Sequence, residues 1–565
     1  MNKTLWSIIP GIYRRRAIWV VATIFLRALL NFVGIATLVP LLIVILNRDA
    51  ITSNDYLAEI YNKLNPSSYT NFIVIVCAIV VGIILIKNIV NLLLYRYERN
   101  YIYALYRELS GSMYRSYHDR GYSYIRQNNS AILTRNINAV SLMFVAGVLK
   151  PIASIICEST LIVMMLGALA FYSPIAALLV VGVFLPVVSL FYLSMRRRLH
   201  NIGEEENSAQ RNKNRTVAES LRGYVDIEIS GSFPMMFNRF KEATDKVVEL
   251  RKRNATLSQL PQMFVELGLT VGLCVLIIIS LCISQDNVAV LFGIFAVAAI
   301  RFVPSTRNIM TSWSTIRYNL YSVETIQEAL ANYTESNIER TTERLQFNKS
   351  IELNNVTYRF EDANKPTISD LSISIARGEC VGIRGASGVG KTTLFNLILG
   401  IYRPTKGSIT IDGVTLCDEN IAKWHNSIGY VSQHVFISEM SIAENIALGI
   451  ELDNIDYNRL NKAIEMSDLK GFIDSLPNGI NTQLGEHGSR LSGGQRQRIG
   501  IARALYKGCD ILLLDEATSS LDSTSEENIN NSIRRLSTDN DSLTIVIIAH
   551  RDSSLEYCNR IITLE

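Results

Sequence analysis

Six long apolar stretches lie in the first 330 residues, and they constrain the fold more than any other feature of the sequence. A helix that crosses the hydrocarbon core of a bilayer needs about 20 mostly apolar residues. Charged residues make up only 19% of the chain, against roughly 25% in an average soluble protein. We therefore predict six membrane-spanning helices, at about Ala17–Leu46, Phe72–Tyr95, Leu142–Tyr172, Pro174–Met195, Gln262–Ile283 and from Val288 past Arg301.

The charge of the connecting loops predicts the orientation of these helices. The segment Arg96–Arg135 holds seven arginines and three acidic residues, and the segment Arg196–Asn254 is also rich in Lys and Arg. Loops with such an excess stay in the cytoplasm, so both loops and both termini are predicted to be cytoplasmic. Both loops have helix-forming sequences, so we expect the membrane helices to continue into the cytoplasm. The apolar stretch after Arg14–Arg16 is too long for a signal peptide, and no cleavage is expected.

From about Arg340 the pattern changes to alternating strand-like and helix-like stretches, which is typical of an α/β domain. We predict a multidomain protein with an all-α six-helix transmembrane domain at 1–331, a polar linker at 332–349 and an α/β domain at 350–565. The net charge of +4 is too small to indicate a nucleic-acid partner. Eight cysteines without a C-x-x-C pair indicate neither a zinc site nor a redox dithiol.

A complete P-loop motif, G-x-x-x-x-G-K-[ST], stands at Gly385–Thr393 between a strand-like and a helix-like segment. Its glycines let backbone N–H groups turn onto phosphate oxygens, and the following helix adds its dipole. Lys391 is placed to reach the β- and γ-phosphates, and Thr392 to ligate Mg²⁺. The candidate nucleotide-binding residues in this motif are Gly385, Ser387, Gly388, Gly390, Lys391, Thr392 and Thr393.

Two further motifs follow. The apolar run from Asp510 to Asp515 and Glu516 is typical of a buried strand that ends in two carboxylates. Asp515 would then lie beside the Mg²⁺, and Glu516 would polarise a water for attack on the γ-phosphate; a surface carboxylate is the alternative for Glu516. Between the motifs, Leu491–Gln495 (Leu-Ser-Gly-Gly-Gln) begins a second helix whose N–H groups could bind phosphate. Two such helix starts cannot readily hold one ATP within a single chain.

These three motifs together resemble the ATP-binding cassette (ABC) family, and six preceding spans with long loops resemble its half-size exporters. The resemblance covers essentially the whole chain. It implies ATP and Mg²⁺ as cofactors, and a dimer in which each ATP lies between one P-loop and the partner's signature motif. Because every motif is intact in one chain, a second copy of the same chain is the favoured partner. The implied signature residues are Ser492, Gly493, Gly494 and Gln495.

The resemblance also assigns single residues. Phe360 falls where an aromatic ring stacks on adenine, with Tyr358 as the alternative. Gln433 matches the Q-loop residue that contacts Mg²⁺ and water, and Asp522 matches the D-loop at the dimer interface. His550 matches the switch histidine that holds the γ-phosphate. The implied catalytic residues are therefore Glu516, His550 and Gln433, and the implied metal ligands are Thr392, Gln433 and Asp515.

Charges within the predicted spans are candidates for a substrate cavity. Arg301 lies about halfway along the sixth stretch, and its side chain is expected to face a cavity. Lys87 and Arg27 are further candidates, although snorkelling to the interface is the favoured interpretation of both. Glu158 and Glu266 are possible partners. A cationic cavity would suit an anionic head group such as a pyrophosphate.

A finer resemblance is to the lipid-linked oligosaccharide flippases of bacterial N-glycosylation, the PglK type. It is carried by Asn31–Pro40, Tyr56–Asn65 and Arg301–Ile309. It implies outward flipping of a polyprenyl-pyrophosphate glycan across a bacterial inner membrane. Export of drugs, peptides or other lipids is the alternative, and an ATP-gated channel or regulator is a less favoured class. An importer is disfavoured because its membrane and cassette parts are usually separate chains, and the six spans exclude a soluble cassette that acts on DNA.

Overall fold

The structure, a computed structural model, divides into two compact units, residues 1–335 and 336–565. Asp522, His550 and the segment Tyr56–Asn65 lie outside the residues that it describes. Those residues are 6–37, 68–172, 174–282, 288–331, 341–360, 363–516, 526–527, 529–531, 533–535, 543–549, 551–556 and 558–564.

The described part of the first unit is helical. Two π-helical turns, Asn136–Val140 and Val145–Leu149, interrupt its α-helices. These are α1 (Gly11–Ala36), α2 (Tyr69–Asp119), α3 (Gly121–Gln127), α4 (Ser130–Arg135), α5 (Ser141–Phe144), α6 (Lys150–Tyr172), α7 (Pro174–Arg222), α8 (Tyr224–Ile229), α9 (Phe233–Leu257), α10 (Leu260–Cys282), α11 (Val288–Tyr318) and α12 (Tyr321–Ala329).

Two of these helices are much longer than a bilayer is thick. α2 has 51 residues and α7 has 49, so each is about 75 Å long at 1.5 Å per residue. The hydrocarbon core of a membrane is only about 30 Å thick. Each helix therefore has to leave the membrane while still helical, and in both cases the surplus residues are those of a predicted basic loop.

Four helices of the described chain are long and apolar enough to cross a membrane. They are Gly11–Ala36, Thr70–Asp119, Ser130–Phe171 and Val180–Arg222, and they overlap the first four predicted spans. α10 and α11 cover the predicted fifth and sixth spans as helices. The count of six spans stays a prediction.

The helices α7, α10 and α11 share an apolar core. Phe184 and Phe191 on α7 pack with Val265 on α10 and with Phe302 and Met310 on α11. Two helices of this group, α7 and α11, also approach each other closely at a glycine. A Cβ atom added at Gly203 would lie 2.0 Å from the backbone oxygen of Tyr318, so this approach requires the absence of a side chain.

The described part of the second unit contains two sheets. Its parallel sheet has the strand order β6-β7-β8-β3-β9, and its antiparallel sheet the order β2-β1-β4-β5. The strands are β1 (Ser350–Tyr358), β2 (Ile368–Ala376), β3 (Cys380–Gly385), β4 (Lys406–Ile411), β5 (Val414–Thr415), β6 (Ile428–Val431), β7 (Ile511–Asp515), β8 (Thr544–Ile548) and β9 (Arg560–Leu564). The α-helices are α13 (Lys391–Ile398), α14 (Ile421–Ser427), α15 (Ile442–Ile446), α16 (Tyr457–Met466), α17 (Lys470–Asp474) and α18 (Gly493–Lys507).

The described part of the predicted linker, residues 341–349, packs on the second unit. Phe347 is buried in the core of that unit, where its ring meets Trp424 edge to face. The carboxylate of Asp412 accepts hydrogen bonds from the backbone N–H groups of Asn348, Lys349 and Ser350. The second unit therefore begins earlier than the predicted boundary at residue 350. The sequence did not predict this, because the average composition of the segment is polar and does not reveal one buried aromatic residue.

Candidate nucleotide site and membrane charges

The parallel sheet gathers the nucleotide motifs at one edge. The P-loop follows β3, the two carboxylates end β7, and Gln433 follows β6 by two residues. β3, β6 and β7 belong to one parallel sheet, so their carboxyl ends face the same way. Ligands of open α/β sheets bind in the crevice at that edge.

The P-loop can adopt its turn only with glycine at two positions. Gly388 and Gly390 have φ angles of +87° and +106°, which disfavour any residue with a Cβ atom. A Cβ atom at Gly390 would also lie 3.1 Å from the backbone oxygen of Thr367. Nothing lies within 4 Å of a Cβ placed at Gly388, and Ser387 beside it is exposed. The outer face of the loop is therefore accessible to a ligand.

Lys391 lies inside this loop rather than in solvent. Its ammonium group donates hydrogen bonds to the backbone oxygens of Gly385 and Ala386, at 2.8 and 3.0 Å. The residue is only 6% exposed. The carbonyl oxygens that bind this ammonium group are neutral, and Asp515 lies within electrostatic reach of it. A positive charge at this place in the loop is suited to a phosphate. Thr393, another predicted contact, is also buried at the start of α13.

Asp515 is buried and close to the proposed metal ligand Thr392. The Thr392 hydroxyl and the Tyr430 hydroxyl both donate hydrogen bonds to the Asp515 carboxylate. Burial, together with repulsion from Glu516, raises the pKa of Asp515 to about 6. A cation beside this carboxylate would offset both effects, and hydroxyl and carboxylate oxygens are ligands that Mg²⁺ prefers. The donor set therefore fits Mg²⁺.

Glu516 has an unusual backbone conformation. Its φ angle is +48°, a region that costs a non-glycine residue about 1–3 kcal/mol and is often found at functional sites. Its N–H group donates to the Ile548 oxygen at 2.9 Å. Its carboxylate accepts a hydrogen bond of 2.7 Å from the Gln433 side chain. Two predicted catalytic residues, Gln433 and Glu516, are thus in direct contact.

Gln497, which was not predicted from the sequence, binds the backbone of the Q-loop residue. Gln497 lies on α18, is 3% exposed, and donates a hydrogen bond of 2.8 Å to the backbone oxygen of Gln433. Its own side-chain oxygen is buried without a hydrogen-bond partner among the described residues. The only signal in the sequence was a glutamine on the buried side of an amphipathic helix.

The signature motif forms the start of α18. The Ser492 hydroxyl accepts from the Gln495 N–H at 3.2 Å, and the Gln495 side-chain oxygen accepts from the Ser492 N–H at 2.8 Å. This reciprocal pair is a capping box. Gln495, a predicted nucleotide contact, therefore uses its side-chain oxygen within the helix start. Gly493 and Gly494 occupy the first turn, whose N–H groups are the ones that an α-helix leaves unpaired.

Three aromatic rings pack together where the adenine ring was predicted to bind. Tyr358 and Tyr402 stack with their centroids 5.0 Å apart, and Phe360 meets each of them edge-on. Tyr358 is buried, whereas Phe360 is partly exposed. The exposed ring favours Phe360 over Tyr358 as the stacking residue.

Of the three predicted cavity cations, Arg27 is already paired. Its guanidinium forms an ion pair with Glu98 on α2, which is 3% exposed, and lies over the Tyr95 ring. Neither the cavity role nor the favoured snorkelling of Arg27 is decided by this ion pair. The sequence missed it because Glu98 follows the apolar stretch and looked like part of a basic loop.

The predicted acidic partners also bind elsewhere. Glu158 accepts hydrogen bonds from Ser305 and Asn308 on α11, at 2.7 and 3.0 Å, and Glu266 accepts one from Gln262. Within the described residues, Lys87 and Arg301 form no ion pair. They are near enough to repel each other electrostatically.

Comparisons with known proteins give the family. A family profile described as "ABC transporter" matches residues 368–519. Over 447 residues the chain is 31% identical to the ATP-dependent lipid A-core flippase of Ralstonia nicotianae, covering 78% of this chain and 74% of that protein. This chain belongs to the ABC transporter family. It is a half-size ABC exporter, an ATP hydrolase coupled to transport, and an integral membrane protein.

Other similar proteins agree with this family. The exporter is 32% identical over 429 residues to the ATP-dependent lipid A-core flippase of Bordetella avium, covering 74% of this chain and 71% of that one. Its fold matches that of a bacterial Atm1-family ABC exporter solved with ATP bound, with a TM-score of 0.76 and 21% identity over 98% of this chain and 94% of that one. These similar flippases are named for lipid A-core, so the finer resemblance to the PglK type stays a prediction.

Proposed function

We propose that this exporter is a homodimeric flippase that uses ATP to move an anionic lipid-linked glycan, such as a polyprenyl-pyrophosphate oligosaccharide, to the outer leaflet of a bacterial inner membrane. The observation that carries this proposal is the pair of cations Lys87 and Arg301, which lie near each other in the membrane unit without an acidic partner among the described residues. Uncompensated charge inside a membrane protein is costly and usually functional. The two similar flippases named for a lipid cargo agree with it.

Lys87 lies against α1. A Cβ atom at Gly34 would be 2.7 Å from Lys87 Cδ and 3.2 Å from its Nζ, so α1 leaves room there for the lysine side chain. Arg301 lies on α11, and it is partly buried. A phosphate placed between the two would relieve their repulsion, because each cation would then face a negative charge. This is the chemistry that a pyrophosphate head group supplies.

The residues around the P-loop and at the end of β7 would form the ATP-binding site. Gly388, Gly390 and Lys391 would hold the phosphates, and Phe360 would stack on adenine. Thr392, Gln433 and Asp515 would hold Mg²⁺, which would neutralise phosphate charge. Glu516 would accept a proton from the attacking water. Asp522 and His550 are proposed to join this site from the D-loop and the switch strand.

The signature motif is proposed to complete the site of a second copy. Ser492 and the N–H groups of the first turn of α18 form a helix start suited to phosphate. In a head-to-tail dimer this start would cover the ATP on the partner's P-loop. Both termini and the cassettes are proposed to lie in the cytoplasm, where the positive-inside rule puts the basic loops.

Lipid specificity tests this proposal. Purified exporter in liposomes would receive a fluorescent polyprenyl-pyrophosphate oligosaccharide or the same glycan on a neutral lipid, and ATP-dependent loss of glycan from the cassette side would be followed. We expect movement of the pyrophosphate lipid only. The variant Lys87→Gln/Arg301→Gln should lose most of that movement while Arg197→Gln, a matched change of an exposed arginine, keeps it.

Three results would redirect the proposal. Equal transport of the neutral lipid would remove the anionic head group from the account. Robust ATP hydrolysis without movement of either lipid would leave a half-size exporter of drugs, peptides or other lipids. Passive ion conductance together with futile ATP turnover would instead indicate an ATP-gated channel.

A further inference from the structure

A basic groove lies between α7 and α9 of the first unit, and its lining includes none of the candidate cavity cations. It has a volume of about 540 Å³, within the usual range of about 300–1,000 Å³ for small-ligand sites. Its lining combines three basic side chains, one acidic side chain and two apolar ones: Arg198, Lys252, Arg253, Glu249, Ile202 and Leu257.

Two of the three basic residues have no counter-charge. Arg253 is paired with Glu249, at 2.5 Å. Among the described residues, Arg198 and Lys252 form neither an ion pair nor a hydrogen bond through their side chains, and both are exposed. The groove therefore presents two positive charges without an ion-pair partner, one from each helix, beside the apolar side chains of Ile202 and Leu257.

The groove lies at the level expected for the cytoplasmic membrane surface. Arg198 stands three residues beyond Met195, the predicted end of the fourth span, which is about 4.5 Å along a helix. On the returning helix, Leu257 comes five residues before Gln262, where the fifth span is predicted to begin. On both helices, the groove residues therefore lie on the cytoplasmic side of the predicted membrane spans.

Aromatic residues mark the same level independently. Tyr192 packs on Trp313 with ring centroids 4.8 Å apart, and Arg196 and Arg317 each lie over one of these rings. Tyr and Trp concentrate at membrane–water interfaces, with arginines on the water side. Tyr192 precedes Arg198 by less than two turns of α7.

From this geometry we infer that the groove binds the phosphate group of an anionic phospholipid of the cytoplasmic leaflet, through Arg198 and Lys252. A phosphodiester head group offers the negative charge that the two side chains lack, and its first acyl carbons would meet Leu257, which lies on the membrane side of Lys252. Basic pockets at the cytoplasmic ends of membrane helices bind lipid head groups in this way. The bound lipid would tie α7 and α9 to the leaflet. This inference requires the proposed membrane position of these helices but not the proposed cargo.

The test measures binding of tail-labelled phosphatidylglycerol and tail-labelled phosphatidylcholine to the purified full-length exporter in detergent. We expect the anionic lipid to bind at least about 30-fold more tightly. At about 1 kcal/mol for each basic residue near a membrane surface, Arg198→Gln/Lys252→Gln should weaken phosphatidylglycerol binding about 30-fold and leave phosphatidylcholine binding unchanged. Arg197→Gln is the matched control, because Arg197 is exposed and adjacent but does not line the groove.

Three outcomes would overturn the inference. Unchanged phosphatidylglycerol binding by the double variant would remove the groove as the site, and an equal loss in Arg197→Gln would indicate surface charge alone. Displacement of the lipid by millimolar glycerol phosphate would indicate a site for soluble anions instead. A folding defect is identified in two ways. Lipid binding is measured for the charge-preserving variant Arg198→Lys/Lys252→Arg, and ATP turnover is measured for each variant. Cargo movement is measured separately, so failure here leaves the proposed function standing.

Discussion

At the residue scale, one chain of hydrogen bonds connects three motifs that are far apart in the sequence. Gln497 on α18 donates to the backbone of Gln433, and the Gln433 side chain donates to Glu516. Glu516 keeps its strained backbone, with its N–H group bonded to β8. The orientation of the proposed base therefore depends on a glutamine that touches no proposed ligand.

The variant Gln497→Met tests this dependence. It removes the donor to the Gln433 backbone at nearly constant volume, and a lost buried hydrogen bond costs roughly 1 kcal/mol. We expect kcat for ATP to fall about five- to tenfold while KM changes less than about twofold, since the residue acts on the base and not on the nucleotide. Steady-state ATPase assays measure both constants.

The control for this prediction is Gln483→Met, because Gln483 is an exposed glutamine of the same unit. It should leave both constants unchanged. A raised KM with an unaltered kcat in Gln497→Met would mean that Gln497 supports nucleotide binding rather than the position of Glu516.

The sequence predicted the site at this scale because its motifs are contiguous. Lys391, Thr392 and Asp515 lie in runs whose chemistry can be recognised locally, and Thr392 does contact Asp515. Gln497 could not be predicted in the same way, since its role depends on a contact 64 residues away in sequence. The pair of Arg27 and Glu98 could not be predicted for the same reason, because the two residues are 71 positions apart.

At the element scale, the helix that follows the P-loop depends on a distant helix for its end. The last carbonyl groups of an α-helix have no partner within the helix. Here Trp424 donates to the Ile398 oxygen and His425 bonds to the Leu399 oxygen, both at 2.8 Å. α14 therefore fixes the C-terminal end of α13, whose first turn carries Lys391.

His425 should make the stability of the cassette unit depend on pH. Burial lowers its pKa, with a further contribution from Lys507. Above the ordinary value of about 6.5 the imidazole is neutral whether the chain is folded or unfolded. As the pH falls below this value the unfolded chain gains a proton that the folded one does not, so stability falls until the folded pKa is reached.

Thermal unfolding of the full-length exporter between about pH 7.5 and about pH 5.5 would measure this loss. The variant His425→Gln retains a donor for the Leu399 oxygen but cannot titrate, so its cassette transition should shift less with pH than that of the parent. Equal pH shifts for parent and variant would assign the acid sensitivity to other groups.

A second prediction at this scale concerns the contact between α7 and α11. Gly203→Ala would force a methyl group to within 2.0 Å of the Tyr318 oxygen, and the helices would have to separate. Overpacking of this kind costs roughly 1–3 kcal/mol. We expect a lower unfolding temperature in detergent for this variant.

Gly182→Ala, on the same helix, is the matched control. Nothing lies within 4 Å of a Cβ atom at Gly182, and alanine is about 1 kcal/mol more favourable than glycine inside a helix. This variant should be as stable as the parent or slightly more so. If both variants behaved alike, the close approach at Gly203 would contribute nothing to stability.

At the scale of the whole molecule, hydropathy predicted where helices lie better than it predicted what they do. α2 and α7 each run through a predicted span and a basic loop as one continuous helix. The helix-forming sequence of the loops was enough to indicate this. The start of the second unit was less predictable, because one aromatic side chain, Phe347, draws a polar segment into its core. A composition average over such a segment does not register a single buried ring.

Composite ATP sites predict that two inactive chains complement each other. Lys391→Ala removes the P-loop lysine, and Ser492→Arg blocks the signature, so either variant alone should hydrolyse no ATP. A mixed dimer would retain one site, built from the intact P-loop of one chain and the intact signature of the other. Co-expression of the two should recover on the order of a quarter of the parent's activity.

Each variant expressed alone serves as the control for this experiment. An inactive mixture that nevertheless contains co-purified heterodimers would contradict a site shared between the P-loop of one chain and the signature of the other.

The central claim is that ATP hydrolysis at Glu516 drives movement of a lipid-linked glycan, and one measurement tests it most directly. The exporter and its Glu516→Gln variant would be placed in liposomes with a fluorescent lipid-linked oligosaccharide, and the glycan remaining on the cassette side would be followed after ATP addition. We predict steady depletion by the parent and none by the variant, although the variant still binds ATP. Equal depletion by both, or hydrolysis by the parent without depletion, would contradict the account.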